Sequence, residues 1–415
     1  MLLEKGNLKD TEIRWFYPAS MSTFVRNMME QAWIKAYKDF FDANYNPDSN
    51  KVTSMSESIA PYCYYTNKDA AVGIVTTIDV GGGTTDVYVS DGRLKDGVTN
   101  DGLLLSFRCA SNAIFGDGYN NQINNNGFVL KYRHIFENEL SNDPELSNAL
   151  KTIAMKGKSS ELISFFFSLA STGKPGLDFM QKLVEDQKIK YVFLVFYSAI
   201  IYHVAQTMKA KGIGKPQTVA FSGNGSRTLQ VISQNHEIQA EFVKTIFENV
   251  YGEKYPKNQK FYLKFDNDKP KEATANGGLE ATAEQIAAKP ELVVMLGKDN
   301  TTFASKEKFD TLSNADKKNI VDNVLKFVDF IPTLNQNNAF GNNYYLDVNI
   351  LDDVLAICKQ NLDNYLELGL QKVLSILSTD PTQTNDVTES LFFFPIVGML
   401  NNLAKELYDI DVNNQ

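Results

Sequence analysis

The chain of 415 residues contains few of the residues that build disulfide frameworks or zinc sites, with three cysteines and three histidines. Cys63, Cys109 and Cys358 are odd in number and widely spaced. Their spacing argues against a disulfide framework and predicts reduced core residues of a cytoplasmic protein. The histidines lie too far apart in the sequence to form a zinc motif.

The sequence also lacks an excess of basic charge and a long apolar run. Its formal net charge of −9 argues against a nucleic-acid surface as the main partner. The first fifteen or so residues contain no apolar run of the length that a signal peptide needs. Residues 191–205 are the most apolar segment, and as a helix they span about 22 Å, short of the roughly 30 Å hydrocarbon core of a bilayer. We therefore predict a buried core helix and no membrane partner.

What the sequence does contain is an ordinary globular composition around one unusual stretch. Hydrophobic residues make up 43% and charged residues 22%, and the length suits two or three domains. Residues 76–91 read TTIDVGGGTTDVYVSD. Two apolar, β-branched strands joined by a glycine-rich turn predict a hairpin whose tip is almost bare backbone. Amides in such a tip can converge on an anion, and the alternative is a plain hairpin with two solvated aspartates.

The order of residues in this stretch resembles the second phosphate-binding hairpin of the actin, sugar-kinase and DnaK-type chaperone superfamily, and is closest to the chaperone branch. The resemblance implies ATP or ADP and Mg²⁺ as ligands. It also assigns roles on both sides of the turn. The carboxylates of Asp79 and Asp86 would hold the metal through water. The phosphates would be cradled by the residues of the turn, which are Gly81, Gly82, Gly83, Thr84 and Thr85.

The segments before the hairpin follow the same order as in the chaperones. A strand at 12–17, a helix at 21–41, a strand at 51–55 and a turn at 56–58 precede it. By that match Glu57 takes the place of the carboxylate that orients the attacking water in phosphoryl transfer. The alternative is a helix-start carboxylate stabilised by the helix dipole.

A second glycine turn follows the buried strand at 217–221. It is similar to the adenosine-binding loop of the chaperones, with one glycine replaced by Asn224, and an ordinary strand-to-helix turn is the alternative. The matched residues are Gly223, Asn224, Gly225, Ser226 and Arg227. Two further segments are similar to the chaperones: residues 114–121 in part, and the helix predicted at 271–288.

The resemblance implies an α/β fold of the actin-like ATPase (ribonuclease H-like) type with two domains. Residues 1–70 would be the remaining part of an incomplete first domain. Residues 71–289 would be the second domain, with a helical subdomain at about 121–190. Residues 290–415 would form a mostly helical carboxy-terminal extension, in which 350–378 keeps helical spacing. Residues 392–395 are too apolar to stay exposed and are expected to pack back on the main body. A lid, a partner-docking unit and a core extension all fit this extension.

The superfamily's first phosphate loop, Asp-x-Gly-Thr-x-x-Thr, does not occur in the sequence. The chain is therefore expected to be, in order of preference, a piece of a longer protein, a chain completed by a second one, or a degenerate relative that keeps the fold for binding. The function implied is an ATP-binding, magnesium-dependent ATPase-like switch with a protein partner or client. Hydrolysis depends on the full-length protein supplying the missing loop. The alternatives are a non-enzymatic scaffold, a filament-forming relative of actin and, less favoured, a small-molecule kinase.

Overall fold

The computed structural model describes residues 8–18, 21, 23–67, 71, 73–90, 94–95, 98–99, 102–115, 126–265, 269–287, 290–296, 301–302, 308–379 and 385–408. Within these ranges the chain is an α/β protein with a mixed central sheet and many helices. Most of the predicted segment 114–121 lies outside the described residues.

The amino-terminal part is a small β-α-β unit followed by a helix. It consists of β1 (Ile13–Tyr17), α1 (Thr23–Phe40), β2 (Val52–Ser56) and α2 (Ile59–Asn67). The two strands are parallel, with Ile13 opposite Val52. Helix α1 holds the fully buried Tyr37 against Trp15 and Tyr45, because its apolar residues recur at helical spacing. Several other large apolar side chains on α1 are exposed, namely Phe24, Met28, Trp33 and Phe40.

The central sheet has six strands in the order β8-β5-β4-β3-β6-β7. Strands β3, β4 and β5 form an antiparallel meander, whereas β6 and β7 run parallel to β3, and β8 runs parallel to β5. The bounds are β3 (Val75–Val80), β4 (Thr85–Val89), β5 (Leu103–Phe107), β6 (Thr218–Ser222), β7 (Tyr262–Phe265) and β8 (Glu291–Leu292). Strands β4, β5 and β6 are buried at every position, because helices cover the sheet. Besides the β1–β2 pair, two short pairs of described strands lie outside this sheet: Leu94–Lys95 with Val98–Thr99, and Met295–Leu296 with Thr301–Thr302.

Helices fill the rest of the described chain. They are α3 (Ser111–Phe115), α4 (Gly127–Glu139), α5 (Pro144–Met155), α6 (Ser159–Leu169), α7 (Phe179–Glu185), α8 (Gln187–Ala210), α9 (His236–Tyr251), α10 (Glu272–Glu280), α11 (Ala283–Ala287), α12 (Asn314–Phe330), α13 (Ala339–Asn342), α14 (Leu351–Cys358), α15 (Leu362–Thr379) and α16 (Phe393–Tyr408). The segment predicted as helical at 350–378 is divided in two, because Asn361 takes a left-handed conformation with φ 56°. The second glycine turn continues into a 3₁₀ helix, Asn224–Val231.

Helix α8 is the core helix that the sequence predicts. It is long and apolar enough to cross a membrane by length and composition, but 94% of its most apolar window is buried inside the protein. The Asp186 carboxylate accepts hydrogen bonds from the amides of Lys188 and Ile189 and so caps its first turn. Gly212, at φ 68°, follows its last turn. Burial on all sides explains why its sequence is apolar all round.

The carboxy-terminal region packs on the central sheet and on α8. The ring of Phe393 stacks on Phe107 of β5 at 3.8 Å between centroids, and Phe392 stacks on His203 of α8 at 5.2 Å. The prediction that 392–395 packs back on the main body is therefore confirmed. Burial lowers the pKa of His203 to about 3, so this ring is neutral in its aromatic surroundings. The sheet and the helices after residue 308 share one hydrophobic core.

Candidate functional site

The first glycine bend is the tip of the β3–β4 hairpin. Asp79 lies opposite Asp86 in the ladder, and the Gly81 amide donates to the Thr84 carbonyl over 3.0 Å. The carbonyls of Gly81 and Gly82 accept hydrogen bonds from the amides of Ser111 and Asn112, at 3.2 and 2.8 Å. The first residues of α3 therefore hold the tip of the hairpin in place through the carbonyl groups of Gly81 and Gly82.

The amide side of this tip is open. The amides of Gly82 and Gly83 have no hydrogen-bond acceptor within the described part of the chain, and a Cβ added to either residue would meet no atom within 4 Å. Neither glycine has a positive φ. Neither the backbone conformation nor the neighbouring atoms therefore require glycine at these two positions.

The second glycine bend, which leads from β6 into the 3₁₀ helix, packs directly on the first hairpin. A Cβ on Gly223 would lie 2.3 Å from Asp79 Oδ1 and 2.4 Å from the Val80 carbonyl oxygen. A Cβ on Gly225 would lie 2.5 Å from Ser111 Oγ and 2.6 Å from Val80 Cγ1. Gly223 also has φ 79°, a conformation that favours glycine. In this bend, glycine is required by backbone conformation and by close packing.

Both bends line one cavity of about 940 Å³. Most of the residues that the sequence predicts for the site lie on its wall, and they are Glu57, Asp79, Gly81, Gly82, Thr84, Asp86, Gly223, Asn224, Gly225 and Arg227. Glu57 is placed there by the end of the first unit, since its amide donates to the Tyr17 carbonyl over 3.0 Å. The cavity is therefore lined from both the amino-terminal unit and the central sheet.

Three of the predicted residues do not line this cavity. Thr85 is buried and its hydroxyl donates to the Cys109 carbonyl over 2.6 Å. Ser226 is buried and its hydroxyl donates to the Gly223 carbonyl over 2.6 Å. Gly83 faces a smaller cavity of about 190 Å³ on the other side of the tip. This geometry gives none of the three a direct contact with a ligand in the large cavity. The hydroxyls of Thr85 and Ser226 instead hold the two bends in shape.

The carboxylates on the cavity wall have raised pKa values. Burial, followed by the charges of Asp86 and Asp79, raises the pKa of Glu57 to about 7. Burial also raises the pKa of Asp86 to about 6, with the charge of Asp79 adding to the effect. The pKa of Asp79 is raised as well, again by burial. Like charges in a partly enclosed space resist ionisation unless a cation joins them.

The two aspartates differ in their hydrogen bonds. Asp79 Oδ2 accepts from the hydroxyls of Ser222 at 3.0 Å and Thr274 at 3.1 Å. Burial raises the pKa of Asp86, and the side chains of Ser106 and Thr84 offset part of that rise, but its buried Oδ1 has no hydrogen-bond partner in the described part of the molecule. Among the described residues no three acidic, histidine or cysteine side chains are grouped closely enough to ligate a metal directly. An unpartnered buried carboxylate oxygen fits a hydrated cation, whose water molecules would donate to it.

The sequence did not indicate several other residues that line the cavity. Helices α3 and α6 contribute an apolar wall that includes Phe115, Ile163 and Phe167. The start of α10 contributes Lys271 and Thr274. The sequence predicted only that Thr274 lies in a helix similar to one in the chaperones. Nothing in the neighbouring residues indicates that its hydroxyl faces a cavity and not the solvent.

No protein-family model matches the chain, and a search of curated proteins finds no match either.

Proposed function

We propose that this chain binds ATP with Mg²⁺ in the large cavity and belongs to the actin, sugar-kinase and DnaK-type chaperone superfamily, nearest the chaperone branch. The observation that carries the proposal is Gly82. It lines a cavity with three carboxylates, and its amide has no acceptor among the described residues. Nothing in the described part of the chain requires the residue to be glycine. A phosphate that approaches the backbone at this point would require it.

The residues of the first bend would bind the phosphates and their cation. The amide of Gly82 would donate to a phosphate oxygen. Bound Mg²⁺ would supply the positive charge that neutralises the phosphates. Asp86 and Asp79 would orient the cation's water molecules with their carboxylates, which explains why Asp86 Oδ1 lacks a partner within the described chain.

Glu57 would act on the attacking water. With a pKa of about 7, its carboxylate is partly ionised near neutral pH and can accept a proton. The water oxygen forms a bond to the γ-phosphorus while the bond to the bridging oxygen of ADP breaks, and one water proton passes to Glu57. The products are ADP and inorganic phosphate.

The rest of the cavity suits a nucleoside. Phe115, Ile163 and Phe167 offer an apolar surface to a base, and Arg227 and Asn224 lie on the wall that the second bend supplies. A ligand in this position would touch the amino-terminal unit, the sheet and α6. ATP could then act as a clamp whose loss lets these parts separate, which is the switch we propose, with a protein partner and a cytoplasmic location.

A second candidate function is nucleotide binding without turnover. It is favoured by one feature of the sequence, the absence of an Asp-x-Gly-Thr-x-x-Thr segment. A cavity that keeps its carboxylates and glycine tip but lacks this loop would bind more readily than it would catalyse.

Calorimetric titration of the whole chain with Mg-ATP tests the first proposal. We expect binding by the native protein and a loss of at least tenfold in affinity in Gly82→Val, whose side chain would enter the cavity. Phosphate release by the native protein that Glu57→Gln abolishes while binding persists would favour the ATPase. Binding with no phosphate release from either protein would favour the second candidate, and an unchanged affinity in Gly82→Val would contradict both.

A further inference from the structure

The carboxylate of Asp79 is held on both of its oxygens before any ligand binds. Oδ2 accepts two hydrogen bonds, from Ser222 at the end of β6 and from Thr274 in the first turn of α10. Oδ1 packs against the backbone of Gly223, where even a methyl group would be 2.3 Å away. Asp86, its neighbour across the ladder, has no such partner on Oδ1. The two aspartates that the sequence treats as equivalent therefore have different environments.

The two hydroxyls occupy positions where local structure favours other residues. Strand β6 is buried at every position, and Ser222 is fully buried at its end. Thr274 lies inside a helix, where its branched side chain is less favourable than alanine or leucine. A helical threonine commonly bonds to the carbonyl three or four residues before it, but here it donates to Asp79. The hydrogen bond to Asp79 gives both hydroxyls a specific role.

The helix that carries Thr274 is itself fixed against the amino-terminal unit. A Cβ on Gly277 of α10 would lie 1.8 Å from the Ala60 carbonyl oxygen in α2, so the two helices touch backbone to backbone at this point. Helix α2 begins two residues after Glu57. The same helix pair therefore positions Glu57 and, through Thr274, Asp79. Such support from surrounding residues is what precise placement of a site requires.

We propose that Ser222 and Thr274 are positioning residues that fix the Asp79 carboxylate in the orientation needed to bind the hydrated cation of the nucleotide. This inference rests on the proposed function. The hydroxyls do not touch the nucleotide in this role, and they act only through Asp79. Their loss should therefore weaken the contribution of the cation to binding, and should leave the contacts that the glycine tip makes unchanged.

The test compares Thr274→Val, which keeps the shape of the side chain and removes the hydroxyl, with Thr274→Ser, which keeps the hydroxyl. ATP affinity of the whole chain is measured by calorimetry in EDTA and again in excess Mg²⁺. We expect all three proteins to agree within about twofold in EDTA. The gain in affinity on adding Mg²⁺ should fall about tenfold in Thr274→Val and be retained in Thr274→Ser. Ser222→Ala should behave as Thr274→Val does.

A second readout needs no ligand. Crystal structures of the native protein and Thr274→Val should show the Asp79 carboxylate turned away from its native position in the variant, with the β3–β4 backbone unchanged. If the Asp79 carboxylate does not move in Thr274→Val, or if Mg²⁺ increases the ATP affinity of that variant as much as it does in the native protein, the inference is overturned. Binding of Mg-ATP by the native protein would still support the proposed function in that case. Absence of Mg-ATP binding in the native protein would overturn both.

Discussion

The two glycine bends have similar compositions and contain glycine for opposite reasons. In the second bend, a Cβ on Gly223 or Gly225 would collide with Asp79, Val80 or Ser111 at 2.3 to 2.8 Å. In the first bend, a Cβ on Gly82 or Gly83 would meet nothing within 4 Å. The second bend needs glycine so that two segments of the chain can touch. The first bend has no such internal need, and the proposed ligand supplies one.

The difference shows what a glycine cluster in a sequence can and cannot indicate. It predicts a place where a Cβ is excluded, but it does not say whether the excluding atom belongs to the protein or to a ligand. The resemblance assigned both bends to nucleotide contact. The geometry keeps the second bend on the cavity wall, but it explains Gly223 and Gly225 by packing.

The largest effect should follow from placing a methyl group in the second bend. Gly225→Ala forces Ser111 and β3 apart, and we expect the free energy of unfolding to fall by about 2 to 3 kcal/mol. Chemical denaturation measures it. Gly82→Ala in the first bend is the matched control, since neither residue has a positive φ, and its free energy of unfolding should not fall. Equal losses in the two variants would remove the distinction between the bends.

The sequence predicted the parts of the site that are local. Each bend combines an apolar strand, a glycine cluster and a polar flank within about a dozen residues, so both could be located without a structure. The hydrogen bonds that hold Asp79 could not be predicted from the sequence, because Ser222 and Thr274 lie 143 and 195 residues away from it in the chain. The apolar wall from Phe115 and Phe167 was missed for the same reason, since aromatic residues at helical spacing also predict ordinary core.

For the fold as well, the sequence predicted the local elements but not the contacts between distant segments. Strands β3, β4 and β6 and the core helix α8 follow from apolar runs that can be recognised locally. The packing of residues 392–395 on β5 and α8 depends on contacts between distant segments; the sequence predicted that this segment packs on the main body, but not which elements it contacts. The proposed two-domain superfamily fold remains a prediction, whereas the mixed α/β sheet is observed.

An effect of similar size, but of opposite sign, concerns the charge of the residues that flank the two bends. The first bend is followed by Asp86, whose pKa burial raises to about 6 in the folded protein. The second bend is preceded by the neutral Ser222, which lies opposite Asp79 in the sheet. A raised folded pKa stabilises the protein below pH 4, and this contribution is lost as pH rises through 6. Asp86→Asn should therefore raise the free energy of unfolding of the unliganded protein at pH 8 by about 2 to 3 kcal/mol.

The measurement is denaturation of native protein and variant at pH 4 and pH 8, without nucleotide or divalent cation. The gain in Asp86→Asn should shrink towards pH 4, where the native carboxyl is protonated in the folded protein. Asp310→Asn, at an exposed turn, is the control and should change little at either pH. A gain of equal size at both pH values would show that the carboxylate's charge is not the cause.

The smallest expected effect concerns Gly83, the tip residue that faces away from the large cavity. Its φ is not positive and its Cβ position is empty, so alanine restricts the unfolded chain without straining the folded one. Gly83→Ala should therefore raise the free energy of unfolding by about 0.5 kcal/mol. Gly212→Ala is the control, because its Cβ position is equally empty but its φ is 68°, and it should lower the free energy by about 1 kcal/mol. A loss in Gly83→Ala as large as in Gly212→Ala would mean that the first bend, like the second, needs glycine for its own folding at this position.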